Sequence, residues 1–135
     1  MSMMTLDEFV AAGARRLDDR QVEAFCRQEL KSLTRKIVRS VRPDREQFHL
    51  RVQFLVRVAG EYDDYAGRAG ISEVRREAVF ALRYFIEDHD AIPDTDKEYG
   101  FRDDDLVAAT VLRRHAGVLA PFADACAQRW ARLGL

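Results

Sequence analysis

Six apolar residues, Val22, Cys26, Leu30, Leu33, Ile37 and Val41, recur in this chain at steps of four, four, three, four and four. Only a turn of about 3.6 residues keeps such positions on one side, so the stretch reads as one amphipathic helix. Pro43 ends it, because the residue before a proline is pushed out of helical geometry. The same logic runs through the rest of the chain. Thr5 with Glu8 gives a capping-box signal for a short helix ending near Leu17, and Asp18 and Asp19 are the next cap candidates. Ser72 caps a helix that carries Val74, Ala78, Ala81, Leu82, Phe85 and Ile86 toward a core. Val107, Ala108, Val111, Leu112, Val118 and Leu119 mark another helical face. Pro121, at a first-turn position, starts a final helix with the stripe Phe122, Cys126, Trp130 and Leu133.

Residues 48–58 are ambiguous. Phe48, Leu50, Val52, Phe54, Val56 and Val58 alternate like a strand, while Phe48, Val52, Leu55, Val56 and Ala59 fit a helix face. A lone strand would leave its backbone groups unpaired, and no second strand is evident, so helix is expected, with Asp44 as its cap and Arg51 and Arg57 toward the wetter side. Gly60, Gly67 and Gly70 punctuate a short helical turn over 61–68. The expectation is an all-α, compact single-domain bundle of five or six helices over residues 1–135. At 47% hydrophobic and 33% charged residues, a chain of this length buries a core without staples. Its two cysteines, Cys26 and Cys126, lie on apolar faces and read as small hydrophobes rather than a disulfide framework. The start MSMMTLDEF lacks a secretory pattern and no window is apolar enough to span a bilayer, so a soluble cytoplasmic protein is expected.

Charge is unevenly placed. The net charge is −1, but residues 27–57 carry nine basic against three acidic side chains, and residues 87–105 carry nine acidic against two basic. Arg27, Lys31, Arg35 and Arg39 recur every four residues along one helix face. Such a row is usually a solvated face. It is also a possible anion or partner face, for nucleic acid or anionic lipid. The acidic block contains HDAIPDTDKEYGFRDDD, residues 89–105. In one reading Asp103 caps a helix beginning near Asp104, Pro93 stiffens the turn and Gly100 supplies backbone freedom. In the other, Asp90, Asp94, Asp103 and Asp104 converge on a divalent cation, magnesium, manganese or calcium, which oxygen ligands suit. A structural corner balanced by the basic row leads, because crowded carboxylates need a countercharge.

The runs Tyr84-Phe85-Ile86, Asp90-Ala91-Ile92-Pro93-Asp94 and Gly100-Phe101-Arg102-Asp103-Asp104 resemble the YkvA-like family, small bacterial helical domains of unknown function. The likeness covers residues 78–112 and rests on a D-x-I-P-D turn and a G-x-x-D-D helix start in register. It implies a helical domain in which Tyr84, Ile92, Pro93 and Gly100 are structural, and it supplies no activity. Thr95-Asp96-Lys97-Glu98 stands where the family has an apolar, proline-containing link, so the membrane association of many relatives does not carry over.

His89-Asp90, with His49 upstream, has the residue types of HD-type phosphohydrolases, but Asp90 is already explained by the turn. His115 falls on an apolar face and is expected to be a hydrogen-bonded core or interface residue. No nucleophile elbow and no phosphate-binding glycine loop occurs. The leading expectation is therefore a non-enzymatic protein-interaction or self-associating module. The alternative is a divalent-metal-dependent phosphate-ester hydrolase using the four aspartates.

Overall fold

The computed structural model describes residues 4–39, 45–91 and 97–135; for 38–39, 88–91 and 97–102 it describes the backbone alone. Among the described residues there are seven α-helices and no strand: α1 (Leu6–Arg15), α2 (Asp19–Gln28), α3 (Leu30–Arg39), α4 (Glu46–Tyr65), α5 (Glu73–Ala91), α6 (Lys97–Arg114) and α7 (Ala116–Ala125), followed by a short 3-10 helix (Trp130–Leu133). The all-α class holds, with one helix more than the upper expectation. No helix among the described residues is long and apolar enough to cross a membrane.

The caps follow the sequence signals. Thr5 accepts from the Glu8 backbone N–H, Asp18 and Gln21 form a reciprocal capping box, and Ser72 Oγ accepts from Arg75 N–H at 3.0 Å. Asp44 lies outside the described residues. The 48–58 ambiguity resolves as helix. The 20-residue α4 spans about 30 Å and packs on α3, α5, α6, α7 and the 3-10 helix. With neighbours on several sides it buries residues beyond a single stripe, among them Phe48, Val52, Phe54, Leu55 and Val58, and this is what mimicked alternation. It also absorbs most of the expected turn over 61–68.

Three expectations are corrected. The stretch from Val22 is not one helix: the backbone breaks at Glu29, so that α2 lies on α5 while α3 lies on α4. Pro121 sits in the middle of α7 rather than at its start. The carbonyl it cannot bond belongs to Gly117, which is exposed and meets solvent. The stripe from Phe122 to Leu133 is not one helix either, since Ala127 and Arg129 adopt positive φ (59° and 45°) and turn the chain before Trp130.

Helices α4 and α5 form the centre, with α1 and α6 flanking α5 and α7 with the 3-10 helix closing the far side of α4. Phe54, Leu55, Leu82, Leu112, Leu119, Phe122 and Leu133 are fully enclosed, each contributing about 2 kcal/mol of transfer free energy. An aromatic group of Phe54, Tyr62, Tyr65, Phe122 and Trp130, with centroids 5.0–6.4 Å apart, ties the C-terminal turn to α4.

Candidate functional site

Both described ends of the acidic passage are helical, and the turn expected around Pro93 lies outside the described residues. Helix α5 continues through Asp90 to Ala91, and α6 begins at Lys97. Gly100 is therefore a helical residue, and Asp103 and Asp104 stand inside α6, so Asp103 is not its cap. Ile92, Pro93 and Asp94 lie outside the described residues, as does the Asp90 side chain. Asp103 is exposed and Asp104 is 5% exposed. Adjacent helical residues diverge by about 100°, which sends these two carboxylates to different sides of α6. Among the described residues no group of three His, Cys, Asp or Glu side chains is placed to hold a metal ion. His89, of which only the backbone is described, lies in α5, and His49 is buried in α4 beside Phe48.

Among the described residues, the basic row is not brought to this block. Arg27 on α2 and Lys31 and Arg35 on α3 are exposed; the Arg39 side chain lies outside the description. Among the described residues helix α3 packs mainly against α2 and α4. A countercharge comes instead from Arg51, expected on the wetter side and found 7% exposed. Its Nη1 donates to Asp105 Oδ1 at 2.8 Å, while Nε and Nη2 donate to the carbonyls of Leu133 (2.8 Å) and Gly134 (3.1 Å). One guanidinium thus fastens the middle of α6 and the C-terminal turn to α4.

A second buried ionic group was not anticipated. Glu77 on α5 is fully buried; it accepts from Arg114 Nε at 2.9 Å and Nη2 at 3.2 Å, and His115 Nε2 lies 3.0 Å from Oε1. Arg114 also reaches Asp7 of α1 at 3.5 Å. Burial raises the Glu77 pKa, but the hydrogen bonds and charges of His115 and Arg114 outweigh it and leave the carboxyl below its ordinary value. The only sequence signal was a glutamate in register between Val74 and Ala78 on the apolar face. On α2, Cys26 is half-buried and donates to Ala59 O at 3.5 Å; desolvation raises its thiol pKa, against the nearby Arg75. Neither cysteine is in a disulfide.

Among the described residues, the exposed large hydrophobics concentrate at one place on the surface. Six large hydrophobic side chains stand exposed among the described residues: Met4, Leu6, Phe9, Tyr65, Leu106 and Val118. Four of them, Met4 (55%), Leu6 (41%), Phe9 (37%) and Leu106 (49%), line a single groove of about 320 Å³, together with Thr5, Tyr84, Asp103 and Val107. Helix α1 forms one wall and α6 the other. Tyr84 of α5 meets Phe9 edge-on with centroids 5.9 Å apart. Of the residues singled out from sequence, the groove brings together Tyr84 and Asp103. Its exposed anchors on α1 had no signal beyond a short amphipathic helix. Compared with protein-family models, curated proteins and solved structures, the chain matches none.

Proposed function

We propose that this chain is a non-enzymatic interaction domain of YkvA-like type that works in the cytoplasm by docking another protein chain, a partner or a second copy, in the groove between α1 and α6. The observation that supports this is the convergence of four of the six exposed large hydrophobics on one groove. Scattered exposed apolar residues are ordinary, whereas a contiguous patch with a polar rim marks interaction surfaces. The acidic passage is then a structural connection between α5 and α6. The row Arg27, Lys31 and Arg35 offers charge without apolar anchors and ranks behind the groove as a face for nucleic acid or anionic lipid.

Site-specific photocrosslinking in cells tests the reading. A photoreactive residue at position 6 or 106 is expected to give discrete protein adducts, and the same residue at position 20 or 29 is expected to give none. Equal labelling at both sets of positions, or none at the groove, counts against it. The competing chemistry is metal-dependent phosphate-ester hydrolysis at Asp90, Asp94, Asp103 and Asp104. Calorimetric titration with magnesium, manganese and calcium is expected to release no binding heat. Saturable heat that disappears in Asp103→Asn and Asp104→Asn would replace the interaction reading with the hydrolase.

A further inference from the structure

We infer that the groove's occupant is a basic amphipathic helix of a partner protein, an inference that rests on the interaction reading above. The groove is apolar inside and acidic at its edge. Asp103 lines it, and Asp7 and Glu8 are exposed in the first turn of α1, beside the lining residues Thr5 and Leu6. Among the described residues, the cations near this rim do little to neutralise it. Arg114 meets Asp7 only at 3.5 Å, and Glu8 and Asp103 hold no ion pair among the described residues. An apolar centre with a negative edge selects a ligand with an apolar stripe between cationic flanks.

The geometry points to a helix. Both walls are helices, and side chains three and four residues apart form ridges that a third helix packs between. Leu6 and Phe9 on α1 stand three residues apart, and Leu106 faces them from α6. Strand addition needs an open sheet edge, and the described residues contain no strand. A second copy fits poorly. An isologous pairing through this face would set Glu8 and Asp103 of both copies within one interface. Nor is the basic helix among the described residues free to serve: α3, which holds Lys31 and Arg35, turns Leu33 and Ile37 inward, 1% and 3% exposed.

The test uses the full chain and two synthetic peptides of about 18 residues, roughly five turns. They share one leucine face, with lysines on the polar face of the first and glutamates on that of the second. Fluorescence anisotropy is expected to show saturable binding of the lysine peptide, weakening several-fold as ionic strength rises from about 0.01 M to about 1 M, and no binding of the glutamate peptide. Leu106→Gln is expected to cost tenfold or more in affinity. Val118→Gln, exposed outside the groove, is expected to leave it unchanged. Glu8→Lys combined with Asp103→Lys is expected to reverse the preference to the glutamate peptide, with circular dichroism confirming that each variant is folded. Equal binding of both peptides, or lysine-peptide binding indifferent to Leu106→Gln, overturns the inference. A homodimer that Leu106→Gln dissociates overturns it in favour of a second copy. Adducts at position 106 in cells without binding of either peptide overturn this inference alone; the absence of both also removes the interaction reading.

Discussion

Glu77 shows how much one buried charge decides. A carboxylate with no solvent access survives only with a countercharge and close polar partners; Arg114 supplies the charge at the end of α6, and His115 Nε2 lies 3.0 Å from Oε1. Glu77→Gln is expected to destabilise the fold by about 3 kcal/mol, the low end for removing one partner of a buried pair, because Arg114 keeps Asp7. Urea denaturation at neutral pH measures it. The pH dependence has a definite sign. A folded pKa held below the ordinary 4.5 contributes stability that is present above that value and is lost as pH falls through the folded pKa. The gap between wild type and Glu77→Gln is therefore expected to shrink as the medium is acidified below pH 4.5. Glu23, whose pKa is also lowered, chiefly by its hydrogen bond from Arg75, stays in both proteins and drops out of the comparison. A gap that widened on acidification would refute the assignment of the charged form.

At the scale of elements, the contact between α1 and α5 sets the groove. Gly13 of α1 is buried, and a Cβ at that position would lie 2.3 Å from Phe80 Cε2. The Phe80 ring cannot simply swing clear, since Phe9 and Tyr84 pack on it with centroids 5.6 and 6.3 Å away. Gly13→Ala is expected to destabilise the protein by about 1–3 kcal/mol, more than the roughly 1 kcal/mol that alanine gains in helix propensity. It is also expected to weaken whatever the groove binds, because the displaced ring carries Phe9 with it. Thermal unfolding and the peptide titration check the two halves separately. A stabilised Gly13→Ala protein would mean that α1 docks more loosely than the Phe80 contact requires.

For the whole molecule, all seven helices and the 3-10 turn contribute to one described hydrophobic cluster, from Val10 of α1 to Leu133 at the C-terminus. If residues 1–135 form a single domain, they unfold as one unit. The single tryptophan, Trp130, stands at the C-terminal turn against Phe54 and reports on the end of the structure farthest in sequence from α1. Its fluorescence and far-UV circular dichroism are expected to trace coincident urea transitions. Separated midpoints would divide the chain into more than one unit. The charge distribution belongs to this scale as well: Arg27, Lys31 and Arg35 are exposed on α2 and α3, while Asp103 is exposed on α6.

Local physics was legible in the sequence alone. The four-and-three spacing, Thr5, Asp18 and Ser72 as caps, and the missing strand partner for residues 48–58 determined an all-helical chain, because these depend on the 3.6-residue turn and on backbone groups within a few residues. Asp103 and Tyr84 were picked out as well, though for a turn rather than for a groove. The breaks at Glu29 and Ala127 and the place of Pro121 inside α7 were not legible, since each depends on which neighbour a segment packs against. The fates of the charged residues were not legible either. Arg51 and Glu77 look like ordinary surface residues in sequence, and only partners 54 and 37 positions away make burying them affordable. The groove likewise required α1, α5 and α6 to meet. Composition and spacing act over a turn or two of chain, whereas burial, ion pairing and surface shape are set by segments distant in sequence, and these the tertiary structure alone decided.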